Sequence, residues 1–181
     1  LKTKANLILG VPTLWSALIK SDLLKGKDLS FLKVLISGGD TLDASLEVQI
    51  NEFLKSHNAP NKIYKGYGMT EALAAISFST DNSNVESTIG IPLPYNQVKV
   101  VDINTKKELG YGEEGEFCIK GPTNMKGYYK NIEETNKVIQ DGYLHTGDLG
   151  YLDRKGRLHY TQRLKRLIVS SGYNIYPSQI E

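Results

Sequence analysis

Apolar residues recur at helical spacing in two stretches of the first sixty positions. Pro12 suits a first helical turn, where its missing N–H has no partner to lose, and Leu14, Trp15, Leu18 and Ile19 then fall on one face. Leu42, Leu46, Ile50, Phe53 and Leu54 make a second, longer apolar face. Between them, Leu32-Lys33-Val34-Leu35-Ile36-Ser37 reads as a short, largely buried strand that runs into Gly38-Gly39. Lys62-Ile63-Tyr64 reads as another strand, ending in the glycine-bracketed loop Gly66-Tyr67-Gly68. Two strands separated by a helix, each ending in small or polar residues, form an αβ repeat. Sheets built this way hold ligands beyond the carboxyl ends of their strands.

From about Gly90 the pattern changes. Glycine, proline and asparagine now punctuate short runs of strand character: Val98-Lys99-Val100-Val101, Glu116-Phe117-Cys118-Ile119 and Leu158-His159-Tyr160. These predict a small antiparallel sheet or barrel. One helix interrupts it, where Asn131-Ile132-Glu133-Glu134 offers an N-cap and a glutamate three residues later. Leu167-Ile168-Val169-Ser170 begins a further strand, and the basic run Gln162-Arg163-Leu164-Lys165-Arg166 marks the expected domain junction.

Composition narrows the class. The chain has 181 residues, 40% of them hydrophobic and 23% charged, as in a folded globular protein. Its 22 basic and 20 acidic residues are spread along the chain, with no clustered basic stripe of the kind nucleic acid requires. No apolar run approaches the roughly 18 residues that cross a bilayer, and the first residues lack a signal-peptide pattern. One cysteine, Cys118, cannot form an internal disulfide, which points to a reducing compartment and a cytoplasmic location. In its alternating run it reads as a small buried hydrophobe rather than a catalytic thiol. His57, His145 and His159 show no metal-ligand spacing, so no structural metal is expected.

Three stretches could carry chemistry. In Gly66-Tyr67-Gly68-Met69-Thr70-Glu71, the glycines allow close backbone approach and the tyrosine presents a face to an aromatic base. Thr70 offers a hydroxyl to a phosphate oxygen, and Glu71 is a hard carboxylate of the kind Mg²⁺ takes beside nucleotide phosphates. The same residues would also make a plain turn capped by a Thr–Glu pair. In Tyr143-Leu144-His145-Thr146-Gly147-Asp148, an aspartate on a tight loop can accept both hydroxyls of a ribose diol, or be only a turn aspartate. Arg163 suits phosphate or ribose hydroxyls, or belongs to a solvated basic face.

Taken together, Ser37-Gly38-Gly39-Asp40, Gly66 to Glu71, Gly127-Tyr128-Tyr129, Tyr143 to Asp148 and Gly172-Tyr173-Asn174-Ile175-Tyr176-Pro177-Ser178-Gln179-Ile180-Glu181 resemble one family in order and spacing. It is the AMP-forming superfamily of acyl- and aryl-CoA synthetases, luciferases and peptide-synthetase adenylation domains. The resemblance covers essentially the whole chain, and its last motif is most similar to bacterial fatty-acyl-CoA ligases. It implies an α/β segment over residues 1–90, a β-barrel-like part over 91–163, and a hinge with the start of a small C-terminal α+β domain over 164–181.

The resemblance also implies roles. Gly38, Gly39 and Asp40 lie against adenine and the acyl group. Gly66, Tyr67, Gly68 and Met69 form the adenine loop, with Tyr67 on the base, Thr70 at the phosphate and Glu71 on Mg²⁺. Asp148 takes the ribose diol and Arg163 the same region. Lys165 is the hinge, and Ser171, Gly172 and Tyr173 border the coenzyme A tunnel. The implied reaction joins a carboxylic acid to ATP as an acyl-adenylate, releasing pyrophosphate, and then passes the acyl group to coenzyme A, releasing AMP. An aliphatic or fatty acid is favoured because Val11 to Leu18 and Leu73 to Phe78 carry no charge.

Two alternatives stand beside it: an adenylation domain that loads an amino or aryl acid onto a carrier protein, and a non-catalytic nucleotide-binding or scaffolding relative. Gln162 stands where relatives carry glycine or aspartate, and Tyr143 replaces a common tryptophan. The chain opens on Leu1 and stops at Ile180-Glu181 in a patterned stretch. It is therefore expected to be an internal segment, lacking the family's upstream phosphate loop and downstream catalytic lysine, and inactive alone.

Overall fold

The computed structural model describes residues 3–85, 87–166, 168–170 and 173–175. Its first half contains β1 (Leu7–Gly10), α1 (Pro12–Ile19), β2 (Val34–Ser37), α2 (Ala44–Ser56), β3 (Tyr64–Tyr67), β4 (Ser77–Phe78) and β5 (Ile91–Pro92). The five strands form one sheet in chain order, parallel from β1 to β3 and antiparallel from β3 to β5. The second half contains β6 (Gln97–Val101), β7 (Gly115–Lys120), α3 (Ile132–Val138), β8 (Ile139–Gln140), β9 (Tyr143–Leu152) and β10 (Leu158–Arg163). Here the order is β10-β9-β7-β6, antiparallel throughout, with β8 paired to β9. The result is an α/β chain whose second sheet curls as an open half-barrel. A final pair, β11 (Ile168–Ser170) and β12 (Tyr173–Ile175), is antiparallel.

The helical spacing becomes packing. Trp15 of α1 with Ile50 and Leu54 of α2 surround Leu35 of β2, all at most 2% exposed. Each such side chain contributes roughly 1.5–3 kcal/mol of burial energy. The Trp15 ring also donates its N–H to the Ile36 carbonyl at 3.1 Å, so its polar edge is satisfied inside the core. Asp43 caps α2 by accepting from the N–H groups of Ser45 and Leu46. Asn131 caps α3 through the Glu134 N–H, but the reciprocal half of the capping box is missing: the Asn131 N–H goes to the Tyr128 carbonyl, and Glu134 pairs with Lys137. The two sheets meet through Ala72 and Ile76 on one side and Ile119 and Leu144 on the other.

Three expectations change. Leu7–Gly10 is a strand that the pattern does not announce, lying parallel to β2 at the sheet edge. The strand expected at Lys62–Tyr64 is shifted, because Tyr64 and Lys65 pair with Ile36 and Ser37, and Gly66 and Tyr67 then pair with β4. Gly66 and Tyr67 are thus strand, not loop. The tight loop expected around Asp148 is the middle of the ten-residue β9.

Candidate nucleotide-binding cleft

A cleft of about 370 Å³ opens where the two sheets meet, beyond the carboxyl ends of β2 and β3. Gly39 and Asp40 follow the end of β2, Gly66 and Tyr67 belong to β3 with Gly68 just past it, Asp148 comes from β9, and Arg163 from β10. Seven positions that the sequence singled out therefore converge on one space.

Its polar centre is a buried carboxylate. Asp148 is 1% exposed, and its Oδ2 accepts the Tyr67 hydroxyl at 2.8 Å. Arg163 pairs with Asp148 across the β9–β10 ladder, and its Nε lies 3.2 Å from Oδ1. That contact is close enough for an ion pair but not aligned as a hydrogen bond, so Oδ1 has a charged neighbour and a free lone pair. The Arg163 side chain is 62% exposed, so it meets this oxygen from the solvent side. Burial pushes the Asp148 carboxyl above the usual range and Glu116 adds to the shift, while Tyr67 and Arg163 oppose it. Burial, then the adjoining carboxylate, pushes the Tyr67 phenol far up, so it remains a donor at every physiological pH.

A bulge aims Asp148 inward. Between the pairs Cys118–His145 and Glu116–Leu149, Phe117 faces three residues of β9 instead of one. Gly147 takes up the distortion at φ +68°, where a side chain would be strained. Three hydrogen bonds lock it: Gly147 N–H to Glu116 Oε1 at 3.1 Å, Thr146 hydroxyl to the Phe117 carbonyl at 2.9 Å, and Asp148 N–H to Thr146 Oγ1 at 3.1 Å.

The remaining candidates are placed differently. Gly38 continues β2, its N–H on the Gly10 carbonyl, and Met69 packs into the core with Ala72 and Ile119. Thr70 and Glu71 stand on a short 3₁₀ turn (Thr70–Ala72) next to the cleft but outside its lining. Glu71 Oε1 accepts the Tyr128 hydroxyl at 2.8 Å, and its carbonyl accepts the Met125 N–H at 2.7 Å. Gly68 has a structural reason for lacking a side chain: a Cβ there would lie 1.5 Å from the Ala74 carbonyl oxygen. Lys165 is exposed just past β10. Ser171, Gly172 and the Tyr173 side chain lie outside the described residues.

Several lining residues escaped the sequence reading. Lys65 is buried, bonded to both oxygens of Glu47 at 2.9–3.0 Å and to the Val85 carbonyl at 2.9 Å. This ties α2 and Val85 to β3. Tyr160 sets its ring centroid 6.5 Å from that of Tyr67. A lysine directly before the glycine-bracketed tyrosine was the one available signal. No helix among the described residues is long and apolar enough to cross a membrane.

Comparison with known proteins bears on the family and the fold. The family model for AMP-binding enzymes matches residues 1–129. The chain is 39% identical over 180 residues, 98% of its length, to luciferin 4-monooxygenase of Nipponoluciola cruciata, of which it covers 32%. It is 35% identical over 173 residues, 95% of its length, to the long-chain-fatty-acid–CoA ligase of Salmonella typhi, of which it covers 30%. The solved structure of ATP-bound MatB from Rhodopseudomonas palustris superposes with a TM-score of 0.87 at 32% identity, over 99% of this chain and 35% of that one. The chain thus spans about a third of the length of the curated relatives it matches. On fold, cleft and sequence together, this chain belongs to the family of AMP-binding, adenylate-forming enzymes.

Proposed function

We propose that the protein carrying this chain is an ATP-dependent carboxylate–CoA ligase acting on an aliphatic acid through an acyl-adenylate. The observation that carries the reading is the Tyr67–Asp148 hydrogen bond inside a cleft roofed by Arg163. A buried aspartate with one oxygen held by a phenol and the other left open is built to accept a sugar hydroxyl. In this reading Arg163 swings outward to uncover Oδ1, Asp148 then receives the ribose diol, and the Tyr67 ring lies against adenine. Gly39 and Asp40 border the base, and Gly38 supports them from β2.

Thr70 and Glu71 form the phosphate edge. The Tyr128 hydroxyl occupies one Glu71 oxygen and leaves the other to a cation, with the exposed Thr70 hydroxyl beside it. One open carboxylate oxygen near a phosphate fits Mg²⁺, which binds through one or two carboxylates and substrate phosphates. When bound, the ion offsets phosphate charge. The carboxylate oxygen of the acid attacks the α-phosphorus, and the bond to pyrophosphate breaks. The thiolate of coenzyme A then attacks the acyl carbon, and AMP leaves with the electron pair of the acyl–oxygen bond. Lys165, exposed at the end of β10, is the proposed pivot between the two steps. The aliphatic preference rests on the uncharged segments 11–18 and 73–78.

The test is ATP–pyrophosphate exchange by the full-length protein against a panel of acids, with and without coenzyme A. Exchange with fatty or short aliphatic acids, and thioester formation only when coenzyme A is present, are expected. Exchange driven by amino acids, with no thioester, would replace this reading with that of a carrier-loading enzyme.

A further inference from the structure

The face of β7 opposite Phe117 and Ile119 holds Glu116, which braces the bulge before Asp148, beside two side chains that the proposed nucleotide chemistry does not use. Strand alternation puts Glu116 and Cys118 on the same face, opposite the core residues Phe117 and Ile119. Antiparallel pairing then sets His145 of β9 directly across from Cys118. One thiol, one imidazole and one carboxylate meet, with their donor atoms all within 4.8 Å of one another. His145 Nδ1 lies 2.9 Å from Glu116 Oε2 and 3.4 Å from Cys118 Sγ. Donors bound to zinc at about 2.0–2.3 Å in tetrahedral geometry sit roughly 3.3–3.8 Å apart. The Nδ1–Sγ separation falls in that range, the Nδ1–Oε2 separation is a few tenths of an ångström shorter, and all three donors lie within 4.8 Å of one another.

We infer that Glu116, Cys118 and His145 form a binding site for a zinc-class transition-metal ion, with a fourth position for water. The donor set selects the ion: a thiolate and an imidazole suit zinc or cobalt and give magnesium or calcium little. The site is also held in shape. Glu116 Oε1 is fixed by the Gly147 N–H, leaving Oε2 to the ion, and two of the three donors come from one regular strand. Lys106 is the competing cation, 3.4 Å from Oε2, but it is 50% exposed and free to turn into solvent.

Sequence spacing gives no hint of this site, because His145 reaches the other two only through strand pairing.

Cobalt is the probe. Metal-stripped protein titrated with Co²⁺ should take up one equivalent, with an intense thiolate-to-cobalt charge-transfer band that Zn²⁺ abolishes by displacement. Cys118 is the single cysteine of this chain, so Cys118→Ser should remove that band. His145→Ala should weaken binding by roughly tenfold or more, since even partners outside a coordination sphere cost that much. His145→Gln, closer in size, guards against a folding defect and should show the same loss. Cobalt uptake by the wild-type protein without the thiolate band would overturn the assignment. So would a band that survives in Cys118→Ser, or affinity unchanged in both His145 variants.

Discussion

Tyr67 and Asp148, 81 positions apart in sequence, are joined by a 2.8 Å hydrogen bond that ties the end of a parallel strand to the middle of an antiparallel one. Neither sheet alone could make the cleft. The phenol belongs to β3 and the carboxylate to β9, so the contact exists only when both sheets are formed and docked. It is at once a fastening between sheets and the wall of the proposed ribose site.

Tyr67→Phe tests both roles. The change keeps the ring and removes the hydrogen bond to Asp148 Oδ2, leaving a buried carboxylate short of a partner. Such a loss costs about 1–3 kcal/mol. A lower denaturation midpoint with unchanged m-value is expected, together with weaker ATP binding in the full-length protein. Stability equal to wild type would mean that the bond carries little weight.

Asp148→Asn should separate stability from function. Because the folded carboxyl titrates above its ordinary value of 3.8, the folded state binds the proton more tightly than the unfolded one. Asp148 therefore favours folding below that ordinary value, and its contribution is lost as pH rises through the elevated value. At neutral pH the ionised group is a net burden, so the asparagine variant should be as stable as wild type or more so. Its stability should also fall less steeply than that of wild type across the mildly acidic range. Nucleotide binding should drop roughly tenfold or more, because the amide oxygen is an uncharged and weaker acceptor for the ribose hydroxyls. Denaturant titrations at several pH values, paired with calorimetry against AMP, measure the two effects.

Tyr128→Phe probes the turn that carries Glu71. The hydroxyl holds one carboxylate oxygen and restricts the other. Without it, Glu71 becomes a more mobile ligand, and the apparent Mg²⁺ requirement of pyrophosphate exchange should rise several-fold while the fold persists. The contact is near the surface, so the stability change should stay below about 1 kcal/mol. An unaltered Mg²⁺ dependence would remove Tyr128 from the site.

What the chain discloses locally and what it hides divides along these same residues. The faces of α1 and α2 are set by spacing within one segment, and their apolar positions surround Leu35 as the pattern requires. β1 passes unnoticed because a four-residue edge strand with Leu7 and Leu9 exposed has no inward run to betray it. Gly147-Asp148 looks like a turn because glycine before aspartate usually is one. Its conversion into a bulge depends on Phe117, thirty residues earlier, to which the local pattern is blind. The convergence on the cleft was legible only through the combined motifs, since no single one distinguishes a ligand loop from a capped turn.

Glu116 offers the sharpest remaining test of how the cleft is held. Its carboxylate is 5% exposed and accepts from both Gly147 N–H and His145, the two residues that flank the start of the bulge. Removing it strands two donors and frees Gly147 at the point where the strand turns Asp148 inward. Glu116→Ala should cost about 2–4 kcal/mol, the summed penalty of those unmet partners. Glu116→Gln should cost less, because its amide oxygen still accepts from Gly147 while the rest of the amide stays within hydrogen-bond reach of the His145 ring. If Glu116 acts by aiming Asp148, the KM for ATP in the full-length enzyme should follow the same order, alanine worse than glutamine, with kcat changing less than KM. A loss of stability in that order with an unmoved KM would leave Glu116 as a strut of the sheet alone.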